Sequence, residues 1–237
     1  MSYKGDIINS QKELDILKKT KTYLIVKAKY GPSKPTKIPL LLSEKLACFV
    51  AAIIGDGHLR KNKFQINLVG FDKQNILNFQ IIAQEIFNRR FNIMDGREND
   101  KDRYCLIMDS KAIHQLLLEV FEIPSGKKSE RVIVPKYIQL ANKSIKASFI
   151  IGLLIAEGGV RRRGYGMSTA SKILWDNLEE LFLSLNIEIK RDRWINKKYQ
   201  KEYYGLSFKK SCLQEIIDNC KDKHIGRILS QHKGFIG

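Results

Sequence analysis

Two acidic residues occupy matching places in this chain of 237 residues. Asp56 ends the run Leu46-Ala-Cys-Phe-Val-Ala-Ala-Ile-Ile-Gly-Asp-Gly57, and Glu157 ends Ala147-Ser-Phe-Ile-Ile-Gly-Leu-Leu-Ile-Ala-Glu-Gly158. The two runs align at a constant offset of 101 positions, Ala47 on Ser148 and Asp56 on Glu157. Each reads as an apolar helix closing on small, acidic, glycine. A carboxylate at a helix C-terminus meets the negative end of the helix dipole, which costs several tenths of a kcal/mol. Two such ends brought together repel further unless a cation lies between them. Hard Mg²⁺ prefers carboxylate oxygens and water, and divalent metals activate water and neutralise the charge that develops in phosphodiester hydrolysis. The pair therefore points to a bound divalent cation; the plain alternative is two solvated turn residues.

The elements that must position these carboxylates are legible around them. Ala47, Ala51 and Gly55 recur at i, i+4 and i+8, and Ser148, Gly152 and Ala156 repeat that stripe. Small stripes let two backbones approach closely, so the two helices are expected to cross along them. Ser43 suits an N-cap, and Gly57 and Gly158 suit helix stops with positive φ. After the first run, Phe64, Ile66 and Leu68 alternate with Gln65 and Asn67, the pattern of a half-buried strand. The pattern predicts a helix over Lys73–Phe91, strands over Asn92–Arg97 and Asp102–Asp109, and a helix from Lys111 to Phe121. The second half parallels this: a basic strand pair within Val160–Thr169, a helix over Lys172–Leu185, strands over Ile187–Ile195 and Tyr199–Phe208, and a short helix over Cys212–Asn219. The fold class is α+β, two pseudo-symmetric αββαββα subdomains with a two-helix interface. Residues 1–42 form an N-terminal extension, 43–123 the first subdomain, 124–143 the linker, 144–220 the second subdomain and 221–237 a tail. The extension suggests a helix near Gln11–Lys19 and a strand near Tyr23–Lys29.

Forty-two Lys and Arg against 25 acidic residues leave +17 and a pI near 9.7. Such an excess indicates a polyanionic partner, nucleic acid before an anionic membrane surface, because the basic residues gather in strands and hairpins. Cys48, Cys105, Cys212 and Cys220 have no metal-ligating or paired spacing and read as reduced thiols. The N-terminus lacks an apolar signal core and no apolar run is long enough to span a bilayer, so an intracellular location (cytoplasm, nucleoid or organelle matrix) is expected.

Val50-Ala-Ala-Ile-Ile-Gly-Asp-Gly57 and Ile151-Gly-Leu-Leu-Ile-Ala-Glu-Gly158 resemble the two signature helices of monomeric LAGLIDADG homing endonucleases. The linker Gly126-Lys-Lys-Ser129 with Val134-Pro135 is also similar to members of that group. The resemblance covers about residues 43 to 220. It implies antiparallel saddle sheets lying in the DNA major groove and Mg²⁺ as cofactor, with Mn²⁺ or Ca²⁺ able to take the same site. Asp56 and Glu157 would be catalytic and, with Gly55 and Ala156, hold the metal. Lys73 and Lys172, at the starts of the two post-strand helices, are carried over as basic helpers. Phe71 stands where many members have a water-ordering polar residue, a role Gln74 could take. Ala51 replaces the usual glycine of the first copy.

Contacts to double-stranded DNA are expected from Arg60, Lys61, Lys63, Gln65, Asn67, Arg97, Lys101 and Arg103 in the first half. In the second half they are expected from Arg161, Arg162, Arg163, Tyr165, Lys190, Arg191, Arg193, Trp194, Lys197, Lys198, Tyr199 and Lys201. Gln and Asn pair with adenine edges and Arg with guanine, while phosphate contact is the commoner role of any one basic residue. His58 reads as a hairpin residue near the site; His114, His224 and His232 carry no signal. The function implied is a monomeric site-specific endonuclease making a double-strand break with short 3′ overhangs at a long asymmetric site. The alternatives are a non-cleaving nucleic-acid binder on the same scaffold, as an intron maturase with intron RNA as partner or a transcriptional regulator, and a structural nucleic-acid protein.

Overall fold

Two apolar helices at the centre organise the chain. The computed structural model describes residues 13–31, 33–98, 101–161, 164–198, 200–233 and 235, and of residues 98 and 101 the backbone only. The described chain opens with three antiparallel strands, β1 (Leu14–Lys19), β2 (Tyr23–Ala28) and β3 (Thr36–Pro39). The first half follows as α1 (Glu44–Gly55), β4 (Gly57–Leu59), β5 (Gln65–Gly70), α2 (Lys73–Phe87), β6 (Asn92–Glu98), β7 (Lys101–Asp109) and α3 (Lys111–Gln115), which runs on as a π-helical turn, Leu116–Val120. A short helix, α4 (Lys136–Gln139), precedes the second half. That half contains α5 (Lys143–Glu157), β8 (Gly159–Arg161), β9 (Gly164–Thr169), α6 (Lys172–Ser184), β10 (Lys190–Asn196), β11 (Lys201–Phe208) and α7 (Cys212–Asn219). One more helix, α8 (Lys223–Ser230), closes the described chain.

Each half is thus αββαββα around one four-stranded antiparallel sheet, in the order β4-β5-β7-β6 and β10-β11-β9-β8. Every second residue of a strand faces the same side. Ile66, Leu68, Leu106 and Met108 face α2 in the first half, and Met167, Leu206 and Phe208 face α6 in the second. Each half has its own aromatic centre, Phe49 edge-on to Phe87 at 5.5 Å and Phe182 beside Phe208 at 5.4 Å. Ser43 caps α1 as expected, accepting from the Leu46 amide at 3.2 Å.

Several local expectations change. Leu14–Lys19 is a strand, not a helix: its apolar residues invite either reading, and pairing with Tyr23–Ala28 decides it. Phe64 lies outside the strand and is exposed, with the Lys111 ammonium over its ring at 4.6 Å. Helix α2 stops at Phe87 because Asn88 turns left-handed at φ 49°. Neither Gly57 nor Gly158 has positive φ; Gly158 is extended at φ −84°. Both are needed for closeness instead. The chain folds so sharply from helix into strand that a Cβ would lie 2.5 Å from Ile53 Cα at Gly57 and 2.4 Å from the Leu154 carbonyl oxygen at Gly158.

Candidate active site and nucleic-acid interface

The small stripes meet as the spacing predicted, with α1 and α5 packed on each other more extensively than any other pair of elements. A Cβ on Gly152 would fall 2.3 Å from the Cys48 carbonyl oxygen and 2.8 Å from Ala51 Cβ, and one on Gly55 would fall 2.8 Å from Ala156 Cβ. At their N-terminal ends the helices are tied through Glu44, which accepts from the Ser144 hydroxyl and the Asp222 amide. The crossing therefore delivers Asp56 and Glu157 together at its C-terminal end.

Two cavities flank that end, and each draws on both helices. One, of about 370 Å³, is lined by Asp56 together with Ala156, Phe71, Asp72, Asn75 and His232. The other, of about 250 Å³, is lined by Glu157 together with Gly55, Lys128, Ser168, Thr169 and Tyr203. Burial of its base and the charge of Glu157 push the Asp56 carboxyl up to about 7, against the pull of Lys128. Burial raises Glu157 as well, again opposed by Lys128.

Lys128 was not singled out by sequence. It lies in the linker, far from both acidic residues along the chain, and its neighbours give no periodic signal. In the fold its ammonium donates to the carbonyls of Ile53 at 2.8 Å, Gly55 at 2.6 Å and Ile54, ending α1 with a cation. Burial lowers it to about 8, while Glu157 and then Asp56 favour its charge. His232, which the sequence left silent, reaches the Asp56 cavity because α8 packs against α5 and the tail turns beneath its end. Phe235 packs edge-on to Tyr165 at 4.8 Å and accepts from the Tyr165 hydroxyl at 2.7 Å. Burial pushes His232 down, opposed by a bond to the Ile155 carbonyl and by the charge of Asp72.

The basic helpers expected here are elsewhere. Lys73 pairs with Asp95 at 3.3 Å and lies over the Tyr104 ring, and Lys172 pairs with Asp176 at 2.8 Å one helical turn on. Neither lines a carboxylate cavity. Their place at a helix start aims them at acids on their own helix or sheet. Gln74 bonds Asn78 at 3.1 Å, and Asn75 lines the cavity instead; Phe71 lines it with 58% of its surface exposed.

The sheet faces opposite α2 and α6 are open. Register puts Gln65, Asn67 and Arg103 on the first, with His58 beside Asn67 and Arg60 opposite Gln65. The Gln65 amide donates to Asp109 at 2.8 Å, and Asn67 Oδ1 is buried without a bonding partner among the described residues. Lys61 and Lys63 are exposed in the turn beyond. On the second open face lie Arg161, Ser168, Lys190, Asp192, Trp194, Lys201 and Tyr203. Trp194 stacks on Tyr203 at 6.1 Å, Arg161 reaches Ser168 at 3.4 Å, and Lys201 is held by Glu130 of the linker. Lys197 and Lys198 are exposed in the hairpin turn.

Four of the residues expected to touch DNA lie on the other side. Tyr165 is buried in the core. Arg191 lies over the Trp175 ring at 3.3 Å and binds Asp176 and Glu179 of α6. Arg193 shares its face, 3.8 Å from Glu202, and Arg97 shares the face of buried-side Ile93, 3.7 Å from Asp102. Residue type and crowding suggested the contact; the two-residue alternation of a strand decides the face, and half of any basic strand turns away. Arg162, Arg163, Tyr199 and the side chain of Lys101 lie outside the described residues.

Residues 144–224 match the family model of a LAGLIDADG-like domain. Structures of the homing endonuclease I-DmoI have the same fold. Its mesophilic variants superpose with a TM-score of 0.56 at 18% identity, covering 78% of this chain and 98% of theirs. Its complex with DNA and Ca gives 0.55 at 19%, covering 81% and 99%. The chain therefore has the fold of a monomeric, two-domain LAGLIDADG homing endonuclease, as the two motifs implied. Among curated proteins it resembles part of a replication factor C small subunit of Methanocaldococcus jannaschii, 25% identical over 178 residues, 75% of this chain and 9% of that protein. It also resembles part of an A-type ATP synthase polypeptide of Pyrococcus abyssi, 28% identical over 155 residues, 65% of this chain and 14% of that protein. A glutamine–fructose-6-phosphate aminotransferase of M. jannaschii matches over 174 residues at 27%, 69% of this chain and 15% of that protein. The chain thus spans less than a sixth of the length of these relatives. No described helix is long and apolar enough to cross a membrane.

A measurable consequence follows from the site's electrostatics. A carboxylate ordinarily releases its proton near 3.9 in an unfolded chain, whereas folded Asp56 keeps it to about 7. The folded state thus binds the extra proton in between, so this contribution to stability is full below about 4 and is lost as pH rises to about 7. In chelator, the melting temperature of the wild type minus that of Asp56→Asn should fall across this window. A constant difference would remove the carboxylate coupling.

Proposed function

We propose that this chain is a site-specific DNA endonuclease that makes a double-strand break by metal-dependent phosphodiester hydrolysis within a long asymmetric site. The observation that carries the reading is the crossing end, where one carboxylate from each half stands beside the other between two open, basic sheet faces. The I-DmoI complexes with DNA and Ca or Mn support double-stranded DNA as partner and a divalent cofactor. That similar segments occupy small parts of proteins as different as an ATP synthase and an aminotransferase supports a mobile, self-inserting element over any one of those activities.

The donor set fits a hard divalent ion such as Mg²⁺. Among the described residues no cluster of three His, Cys, Asp or Glu side chains forms, so the protein's share would be carboxylate and main-chain oxygen, with water completing the shell. Asp56 with Ala156 would hold it on one side and Glu157 with Gly55 on the other, since these pairs line the two cavities. The raised Asp56 carboxyl beside Glu157 is the strain that a cation relieves. When bound, the ion supplies Lewis acidity and a water of lowered pKa.

The chain's own residues do the rest. Arg161 and Lys190 anchor phosphates, and Lys61 and Lys63 extend that footprint at the outer turn. Gln65 and Asn67 present groups that pair with adenine, Arg103 suits guanine and Asp192 suits the cytosine amino group. Residues 43–123 and 144–220 act as the two reading halves, joined by 124–143. Because the halves present different side chains, the target has no two-fold symmetry and one copy of the chain suffices. His232, with Asp72 and Asn75, orders water beside Asp56. The break would carry short 3′ overhangs.

The direct test joins the DNA flanking the coding element into one uninterrupted sequence and adds purified chain with Mg²⁺. Cutting near the join is expected; tight binding there without cutting in Mg²⁺ or Mn²⁺ would make the chain a binder only. Affinity for that DNA should fall with salt at a log–log slope of about −0.9 per phosphate contacted. A response flat between low and physiological salt would sink the DNA reading altogether.

A further inference from the structure

We propose that the N-terminal three-stranded sheet is a second DNA contact, which holds the sugar-phosphate backbone of the duplex beyond the outer end of the first half. The inference rests on the DNA reading above and gives residues 13–42, idle in that reading, a share in it.

Residues 13–42 carry seven lysines against Glu13 and Asp15. β3 packs on α2 and, with β2, on α3, which buries Leu24, Val26, Thr36 and Ile38 and leaves Ile25, Lys27 and Lys37 on the outer side. Where this sheet meets the first half, a cavity of about 380 Å³ remains. Lys27, Tyr30 and Lys34 line it from the sheet, and Phe64, Arg89 and Asp109 from the first half. Lys111 lines it too but is paired with Glu13. Packed elements ordinarily close such a gap with interlocking side chains. This one instead holds three further cations against one acid, and Asp109 already accepts from Gln65.

Arg89 is half-buried, and among the described residues its guanidinium hydrogen-bonds only the Thr36 hydroxyl, at 3.4 Å. Most of its five N–H groups are left for a ligand, and their planar fork matches two oxygens of a phosphate. Burial lowers Arg89, which an anion in the cavity would reverse. The loop that carries Tyr30 and Lys34 is shaped by Gly31 at φ 79° and by the Ser33 hydroxyl, which accepts from the Ala28 amide at 2.9 Å. These groups are therefore in place before a ligand arrives. Tyr30, 82% exposed, offers its ring to a sugar and its hydroxyl to a phosphate.

The position of the cavity selects the anion. β5 has its inner end at the carboxylates, where the Val69 amide donates to the Asp56 carbonyl at 3.3 Å, and its outer end at Gln65, next to the cavity wall at Phe64. Its six residues span about 20 Å, the length of about six base pairs. A duplex lying on the open face passes the exposed Lys61 and Lys63 and leaves that face over the cavity. Lys61, Lys63, Lys34 and Lys27 then make one basic track, which fits a repeating anion better than a single one.

The test compares the full chain on two duplexes that both carry the joined target. One ends at the outer edge of the first half's site, and the other runs about one turn of duplex further. The wild type should bind the longer roughly tenfold more tightly at physiological salt, as expected for about two extra phosphate contacts. K27Q/K34Q should melt like the wild type and bind both duplexes alike, with a salt slope on the longer one shallower by about 1 per lysine. R89Q should also lose the preference. Single neutral methylphosphonates placed beyond the site should weaken binding by the wild type and leave K27Q/K34Q unaffected. Equal binding of the two duplexes by the wild type, or a preference that survives in K27Q/K34Q, would overturn the proposal and leave the endonuclease reading standing. A wild type that binds neither duplex sinks the DNA reading, and this proposal with it.

Discussion

Asp56→Asn and Glu157→Gln should each lower the rate of DNA cutting by roughly a thousandfold or more, while DNA binding persists. Both changes keep side-chain volume and remove only the charge, so the crossing and the sheet faces stay as they are. The amide oxygen that remains is a poor ligand for a hard ion, and the charge that would fix the ion's position is gone. Two accompanying signs separate this from general damage. Each variant removes one of two neighbouring carboxylates, so the metal-free protein should melt higher than the wild type. Each also takes a negative charge from a site that faces phosphate, so affinity for DNA should rise slightly. Full cutting by either variant sinks the assigned roles. Loss of binding in either would mean that these residues shape the interface and not the chemistry.

The second large effect is structural. Gly152→Ala adds one methyl group, and in an isolated helix that change would be worth about 1 kcal/mol in favour of alanine. Here the new Cβ meets the Cys48 carbonyl oxygen at 2.3 Å and Ala51 Cβ at 2.8 Å, backbone and a rigid methyl, neither of which can swing aside. The crossing must open, which disturbs buried contacts along both helices. Overpacking of this kind costs about 3 kcal/mol, which leaves a net loss of about 2 kcal/mol after the propensity gain and lowers the melting temperature of a chain this size by about 6 °C. Separating the helices also parts Asp56 from Glu157, so cutting should fall further than stability alone requires. Gly96→Ala is the control, because its nearest neighbour, the Arg103 carbonyl oxygen, lies at 3.9 Å. Equal melting of the two variants would contradict the close crossing.

The centre of this molecule was legible from sequence because its information is local and doubled. Apolar runs of helical length, small residues at every fourth place, and an acid before glycine occur twice at one offset, and each copy explains the other. The Ser43 cap and the Cys212–Asn219 helix were equally local. What was lost depends on distance or on register. Leu14–Lys19 became a strand through its neighbour across a turn. Tyr165, Arg191, Arg193 and Arg97 were assigned by type, but a strand shows only every second residue to one side, and pairing must be known before that side is. Lys128 was visible only as part of a linker motif shared with the family, with no role attached, and His232 not at all, since each enters the site from a segment distant in sequence from the carboxylates. The glycines after the two acids were recognised for the wrong reason: position demanded them, and what the position required was room, not a left-handed turn.

The crossing has one further property. Equivalent positions of the two copies face each other, Ala51 against Gly152 and Gly55 against Ala156, so that each of these two levels pairs one methyl group with one bare backbone. Two first halves brought together would set methyl against methyl at one level and leave a void at the next, and two second halves would do the reverse. The halves are therefore complementary to each other and not to themselves. Expressed as separate polypeptides cut within the linker, they should reassemble as a mixed pair and reject the identical pairs.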